Sequence, residues 1–177
     1  MRYASSIANQ GRAHVATAAK ARAAKADELR VRRVRASDTA NVIALDAHIT
    51  KLAKPDYWTD VFRRYGRQRL QERFFLVAEN RAKRADRRLL GFIVGEIRAW
   101  EFGSAPCGWV FALSVEPDIR LHSVGSALLD AISLEFKKAG VGKMRTMVAR
   151  DARLPMLFFR GEGMMAGPYL QLEKDLD

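Results

Sequence analysis

The chain has 177 residues, 49% of them hydrophobic and 29% charged, with one cysteine and a formal net charge of +11. That length suits one domain of the usual size, about 100–200 residues, and the hydrophobic content excludes a disordered chain. A single cysteine excludes a disulfide framework and a CxxC-type zinc site, and no apolar run approaches the ~18 residues of a membrane-spanning helix. The expectation is a soluble, cytoplasmic protein of a reducing compartment, with no membrane contact and no metal.

The positive charge is unevenly placed. Residues 1–35 carry nine Lys/Arg against two acids, whereas the rest of the chain carries 22 against 18. The body is only mildly basic, so charge alone does not indicate a nucleic-acid partner, and none is expected. Residues 1–28 are Ala-rich with scattered Arg and Lys, which favours a helix that buries little. Three readings stay open for this extension: a helix docking on its own body or on a second subunit of a homodimer, an Arg-rich organelle-import sequence, or a basic arm for an acidic partner.

From Leu29, "LRVRRVR" alternates as a strand does. Ser37 or Asp38 is placed to cap the helix "TANVIALDAHITK", with an apolar stripe at Val42, Ile43, Leu45 and Ile49. Pro55-Asp56 interrupts it. "YWTDVFRRYGRQRLQER" predicts a second, very basic helix with Trp58, Phe62 and Tyr65 on one side. "FFLVAEN" and "LLGFIVGEIRAW" predict two strands of a hairpin, and "WVFALSVEP" a third strand. "SVGSALLDAISLEFKKAG" predicts a helix with Gly140 at its C-cap. A strand "KMRTMVARD", a short helix "LPMLFFRGEG" with Pro155 in its first turn, and a closing strand "PYLQLEKDL" complete the chain. The order β-α-α-β-β-β-α-β-α-β implies an α+β domain over residues 29–177 with a mostly antiparallel sheet.

The stretch with chemical content is Ala112–Leu129, "ALSVEPDIRLHSVGSALL". A strand ends at Val115-Glu116-Pro117, and a short loop leads directly into a helix containing Gly125. A helix N-terminus presents unpaired N–H groups and a partial positive charge, so a loop wrapped around it aims several amides at a phosphate. Arg120 and His122 supply further donors. An ordinary strand-to-helix turn capped by Ser123 remains the alternative from these residues alone.

Val115, Pro117, Arg120, Gly125, Leu128 and Leu129 fall in register with V-x-P-x-x-R-G-x-G-x-G/A and its Leu-rich helix, and the chain here resembles the GNAT N-acetyltransferases. "MLFFRGEG" resembles that family's A-x-x-F-Y-x-x-x-G-F turn, and "GPYLQLEKDL" looks like the last strand of ribosomal-protein-type (RimI-like) members. The resemblance implies a mixed sheet, flanked by helices, that splays between "WVFALSV" and "MRTMVAR" to hold acetyl-CoA as co-substrate. The pantetheine arm would lie on Leu113, Ser114 and Val115, and the diphosphate on Arg120, Leu121, His122, Ser123, Val124, Gly125 and Ser126, with Phe158 also against the cofactor. Direct acetyl transfer to an amine is the implied reaction, assisted by amide donors near the thioester carbonyl and by holding the reactants together.

The chain departs from the pattern at several positions. Leu121 and Ser123 replace glycines. Trp109 stands where some members carry a glutamate base, so Glu96 or Glu101 is the candidate base, acting through a water. Phe159 stands where a tyrosine often protonates the thiolate, and Tyr169 and Tyr57 are the alternatives. Trp58, Tyr65, Phe74 and Phe75 lie near the region where the resemblance implies the acceptor groove, most of them reading as core, and the arginines at 63, 64, 67, 69 and 73 read as either a solvated face or an attraction for an acidic acceptor. The leading expectation is an N-acetyltransferase acting on a primary amine of a protein or small molecule. The alternatives are a catalytically weakened module acting through its basic surface, and a ribosome-associated basic protein.

Overall fold

A computed structural model describes residues 29–68, 71–80, 88–117 and 122–176. The N-terminal extension, residues 1–28, lies outside them. The described chain forms two compact units, one running to Thr146 and one from Met147.

The first unit is built on a five-stranded sheet in the order β1-β2-β3-β4-β5, comprising β1 (Leu29–Arg33), β2 (Arg73–Asn80), β3 (Leu89–Arg98), β4 (Cys107–Val115) and β5 (Met144–Thr146). The first three pairings are antiparallel and β4–β5 is parallel. Parallel neighbours need a crossover, supplied here by helix α3 (His122–Lys138). Helices α1 (Thr39–Thr50) and α2 (Pro55–Val61) lie between β1 and β2 in the chain. Pro55 opens α2, where its missing N–H costs nothing.

Strand alternation sends the two faces of the sheet to different partners. Phe75, Val77, Phe92 and Val94 join Val42, Leu45, Trp58, Val61 and Tyr65 in one buried cluster under α1 and α2. Trp58 meets Phe92 edge-on at 4.9 Å between ring centroids. On the other face Phe74 meets Phe136 of α3 at 5.3 Å and 90°. Both faces of β2 and β3 are therefore covered, which explains their near-continuous apolar sequences. Helix α3 sits close because the strand residues beneath it lack side chains: a Cβ on Gly108 would meet the Phe136 ring, and one on Gly95 would lie 2.9 Å from Ile132. Gly140 takes φ +80° just past α3, as its C-cap position requires.

Four sequence expectations change. Asp38 does not cap α1 with its side chain. Its carboxylate instead accepts the Arg35 N–H at 2.7 Å and the Arg32 guanidinium at 2.7 and 3.0 Å. Arg32 also reaches Glu79 at 2.6 Å, forming an almost buried Asp38–Arg32–Glu79 triad between β1 and β2. The second helix is shorter than expected: after Val61 it widens into a π-turn over Phe62–Arg67. Strand β5 is three residues rather than nine. The closing strand is absent: residues 168–176 have no strand partner, and Leu170, Leu172 and Leu176 are exposed. Alternation in a sequence defines a strand only where a neighbouring edge takes its hydrogen bonds.

The second unit contains α4 (Arg153–Gly161), with Pro155 in the first turn. It ends in a left-handed Gly163 (φ +81°), with Gly163 and Met164 N–H groups returning to the Arg160 and Phe159 carbonyls.

Candidate active site

Strands β4 and β5 are paired only as far as Val110–Thr146. The next residue, Phe111, is an extra residue of β4, since Gly95 opposes Val110 while Val94 opposes Ala112. A bulge of this kind bends a strand and leaves one residue outside the ladder. The bulge and the parting of the two strands thus coincide. Beyond them Leu113, Ser114 and Val115 continue along β3, half-buried, with no β5 partner on their other side. The sequence placed the splay here.

Past β4, the Glu116 N–H donates to the Leu90 carbonyl at 2.9 Å, and its carboxylate meets Arg88 at 3.2 Å and His48 at 3.6 Å. The chain enters the next loop from a fixed point. Arg120 and Leu121 lie outside the described residues. His122, Ser123 and Val124 form the first turn of α3, where amides have no intrahelical acceptor. Ser123 is exposed and Ser126 half-buried, while Val124 and Gly125 are buried. Ser123 has ordinary helical geometry, because the left-handed non-glycine residues among the described ones are Lys51, Trp100 and Phe102. Serine at this glycine position therefore carries no backbone strain. Phe158 lies half-buried on α4, edge-on to Phe159 at 5.1 Å, and belongs to the second unit.

The two candidate bases differ sharply. Glu101 sits in a short turn, Glu101–Gly103, between exposed Trp100 and Phe102, and its side chain is 55% exposed. Glu96 stands on β3, opposite Trp109 on one side and Arg73 on the other. Its carboxylate accepts the Tyr65 hydroxyl at 2.5 Å and the Arg98 Nε–H at 3.0 Å. Arg98 also lies 4.5 Å over the Trp109 ring and 3.9 Å from Glu101. Both readings of Glu96 meet here: it pairs with Arg98, and it faces the bulge side of β4. The Tyr65 ring packs edge-on against Phe111, the bulged residue, at 5.3 Å.

Tyr65 is buried, as a core residue would be, yet its hydroxyl is the closest hydrogen-bond partner of Glu96. Burial pushes the phenol up to about 12, with the Glu96 hydrogen bond adding to the rise. At neutral pH Tyr65 is a donor that stays protonated. It does not replace the missing tyrosine at Phe159 as an acid. The only sequence signal for its role is a hydroxyl-bearing ring in place of phenylalanine on the apolar side of a basic helix. The π-turn that carries it is a feature frequent at functional sites.

The acetyltransferase (GNAT) family model matches residues 40–158, and the chain belongs to that family. No curated protein matches the chain. Among solved structures it is similar to the aminoglycoside N-acetyltransferase AAC(6')-Iy in complex with CoA, with a TM-score of 0.70 at 13% identity over 83% of this chain and 94% of that one. The aminoglycoside 6'-N-acetyltransferase AAC(6')-Ih from Acinetobacter baumannii gives 0.68 at 14% identity, over 84% of this chain and 99% of that one. A transcriptional regulator from Bacillus halodurans C-125 gives 0.66 at 13% identity, with coverage of 84% and 99%. At these identities the neighbours establish the fold. Membership of the family makes acetyl transfer the reaction class.

Proposed function

We propose that this chain transfers the acetyl group of acetyl-CoA directly to a primary amine, with Glu96 as the base. The observation that carries the reading is the coincidence of the Phe111 bulge, the end of β4–β5 pairing and the Tyr65–Glu96 pair. The donor fits the residues present: among the described residues β4 has no strand beside Leu113–Val115 on the β5 side, and α3 begins beyond it with first-turn amides that have no intrahelical acceptor. Those amides, with Ser123 and Ser126, would hold the diphosphate. Acetyl-CoA supplies an activated acetyl group on a thiolate leaving group.

The chain's own residues then do the following. The β4 edge orients the donor's amide-bearing arm along the strand. Glu96 accepts a proton from the incoming ammonium, directly or through one water, so that the nitrogen lone pair is free to attack. The new C–N bond replaces the C–S bond, the second proton of the attacking nitrogen passes to the departing thiolate sulfur or to water, and CoA leaves. Tyr65 fixes the Glu96 carboxylate, and the cluster of Trp109, Phe111 and Tyr65 limits water at that end of the sheet. In some members of the family a glutamate stands at the Trp109 position. Here the carboxylate comes from the directly opposed residue of the neighbouring strand. Glu101 is too exposed and too far along the turn for this role. The lone Cys107 is free and buried, which suits the reducing cytoplasm proposed as the setting.

A second reading is a CoA-binding module with little turnover. Its support is Phe159, which has no proton to give, and Arg98, which holds Glu96 as an ion partner. An assay of thiol release from acetyl-CoA against a panel of amines, with Glu96→Gln alongside, separates the two. Amine-dependent release that Glu96→Gln abolishes supports the enzyme. Binding of acetyl-CoA without release supports the module.

A further inference from the structure

Resting on that acetyl-transfer reading, we propose that the acceptor is an anionic amine, carrying a carboxylate close to its amino group, and that Arg73 is the residue that selects it. Arg73 opens β2 and stands directly opposite Glu96 in the antiparallel register. Directly opposed residues project to the same face and neighbour each other. Its guanidinium lies 5.3 Å from the centre of the Tyr65 ring, the ring whose hydroxyl holds Glu96.

What sets Arg73 apart from the other half-buried arginines of the described residues is a guanidinium with neither a carboxylate nor a hydrogen-bond acceptor. Arg32 has Asp38 and Glu79, Arg33 has Glu135, Arg64 has Asp60, and Arg98 has Glu96. Arg145 reaches the Ser104 hydroxyl. Arg73 is half-buried as these are, yet among the described residues it forms no ion pair and no hydrogen bond from its guanidinium. A guanidinium offers five N–H donors in a planar fork matched to a carboxylate. Stacking on Tyr65 orients the fork and leaves its edge available.

The surroundings favour an anion. Arg64 lies over the same ring at 5.7 Å, and its partner Asp60 is shared with Arg63 at 2.5 Å. One carboxylate thus serves two guanidinium groups. Glu72, exposed beside Arg73, is the acid nearest in sequence and forms no ion pair with it among the described residues. An acceptor whose amine approaches Glu96 would bring a neighbouring carboxylate to Arg73, as an amino acid or a peptide terminus with an adjacent acid does. A polycationic acceptor would instead place further positive charge against Arg64, Arg73 and Arg98. The substrate class named for the aminoglycoside enzymes of the same fold is therefore a poor match to this site.

The test uses the full chain, acetyl-CoA, the twenty L-amino acids, their carboxamides and one polycationic aminoglycoside, with thiol release as the signal. The carboxamide keeps size and amine and removes only the negative charge. At least one amino acid is expected to exceed its carboxamide in kcat/KM by roughly 10–100-fold, the range of one hydrogen bond to a charged group. Arg73→Gln is expected to bring that ratio close to one through KM, and Arg73→Lys to restore part of it. A purely structural Arg73 would lower both members of the pair alike and leave the ratio standing, which overturns the proposal. So does a carboxamide or the aminoglycoside turned over as well as the amino acid, or bound acetyl-CoA with no anionic amine accepted. A folded protein that binds no acetyl-CoA overturns the transfer reading itself, a result distinct from all of these.

Discussion

The Tyr65 hydroxyl donates a 2.5 Å hydrogen bond to Glu96 from the π-turn that follows α2, and the same ring packs on Phe111 at the bulge of β4. One side chain thereby ties the candidate base to the point where the sheet opens. Glu96→Gln keeps the size and an acceptor for Tyr65 but removes the base, so kcat should fall about 10²–10⁴-fold with acetyl-CoA affinity unchanged. Tyr65→Phe should lower kcat about 10-fold, as one hydrogen bond to a charged group is worth, while the ring contact with Phe111 keeps the fold. Steady-state kinetics on both variants check this. Equal activity of Glu96→Gln and the parent would remove Glu96 from the mechanism.

The same pair has a signature at high pH. The folded phenol titrates at about 12, and an unfolded one near 10. The neutral form is the one stabilised, so the contribution is full below about pH 10 and is lost as pH rises through the folded value. Ultraviolet titration should find one tyrosine of the folded chain ionising well after the others, and Tyr65→Phe should delete that late step.

Acid stability rests on the Asp38–Arg32–Glu79 triad. Burial by itself would push the Asp38 carboxyl up. The Arg32 hydrogen bonds and charge and the Arg35 N–H outweigh it, and the carboxyl is held below its ordinary value. A depressed carboxyl contributes stability that is complete above the unfolded value, about 3.9, and is lost as pH falls through the folded one. Asp38→Asn should therefore cost about 2 kcal/mol at pH 7, and the gap from the parent should close below about pH 4. Urea melts across this range measure the gap. A constant difference down to low pH would assign the loss to packing instead of charge.

Packing of α3 depends on Gly108. A Cβ there would run into the Phe136 ring, so Gly108→Val should destabilise by about 1–3 kcal/mol. Trimming the ring, in Gly108→Val/Phe136→Leu, should recover part of that loss, since contacting residues do not add independently. Thermal melts of the two single variants and the double variant give the coupling directly.

Much of this architecture was legible in the sequence because its elements carry local signals. Alternation gave β1, long apolar runs gave β2, β3 and β4, and the Leu-rich period with Gly140 gave α3. What escaped depended on partners distant in sequence. Asp38 has the identity of a cap, but Arg32 across the turn claims its carboxylate. "PYLQLEKDL" has a strand's alternation without an edge to join. The bulge at Phe111 is a matter of register between two strands, invisible along one. Tyr65 reads as core and the arginine at 73 as solvated face or acceptor attraction, because the role proposed for each is defined only by its placement beside Glu96. Glu96 is one of two candidate bases in the sequence, with Glu101, and the register adds what the sequence lacks: Glu96 lies directly opposite Trp109.

The most direct test of the account is calorimetric titration of the full chain with acetyl-CoA, repeated on Ser123→Asp. Ser123 is exposed in the first turn of α3, so aspartate there leaves the helix intact, as circular dichroism will verify, and sets a negative charge against the diphosphate. The account predicts binding near the micromolar range, about −8 kcal/mol, weakened 10-fold or more in the variant. A folded protein that gives no heat at millimolar acetyl-CoA, or a variant that binds as tightly as the parent, would contradict it.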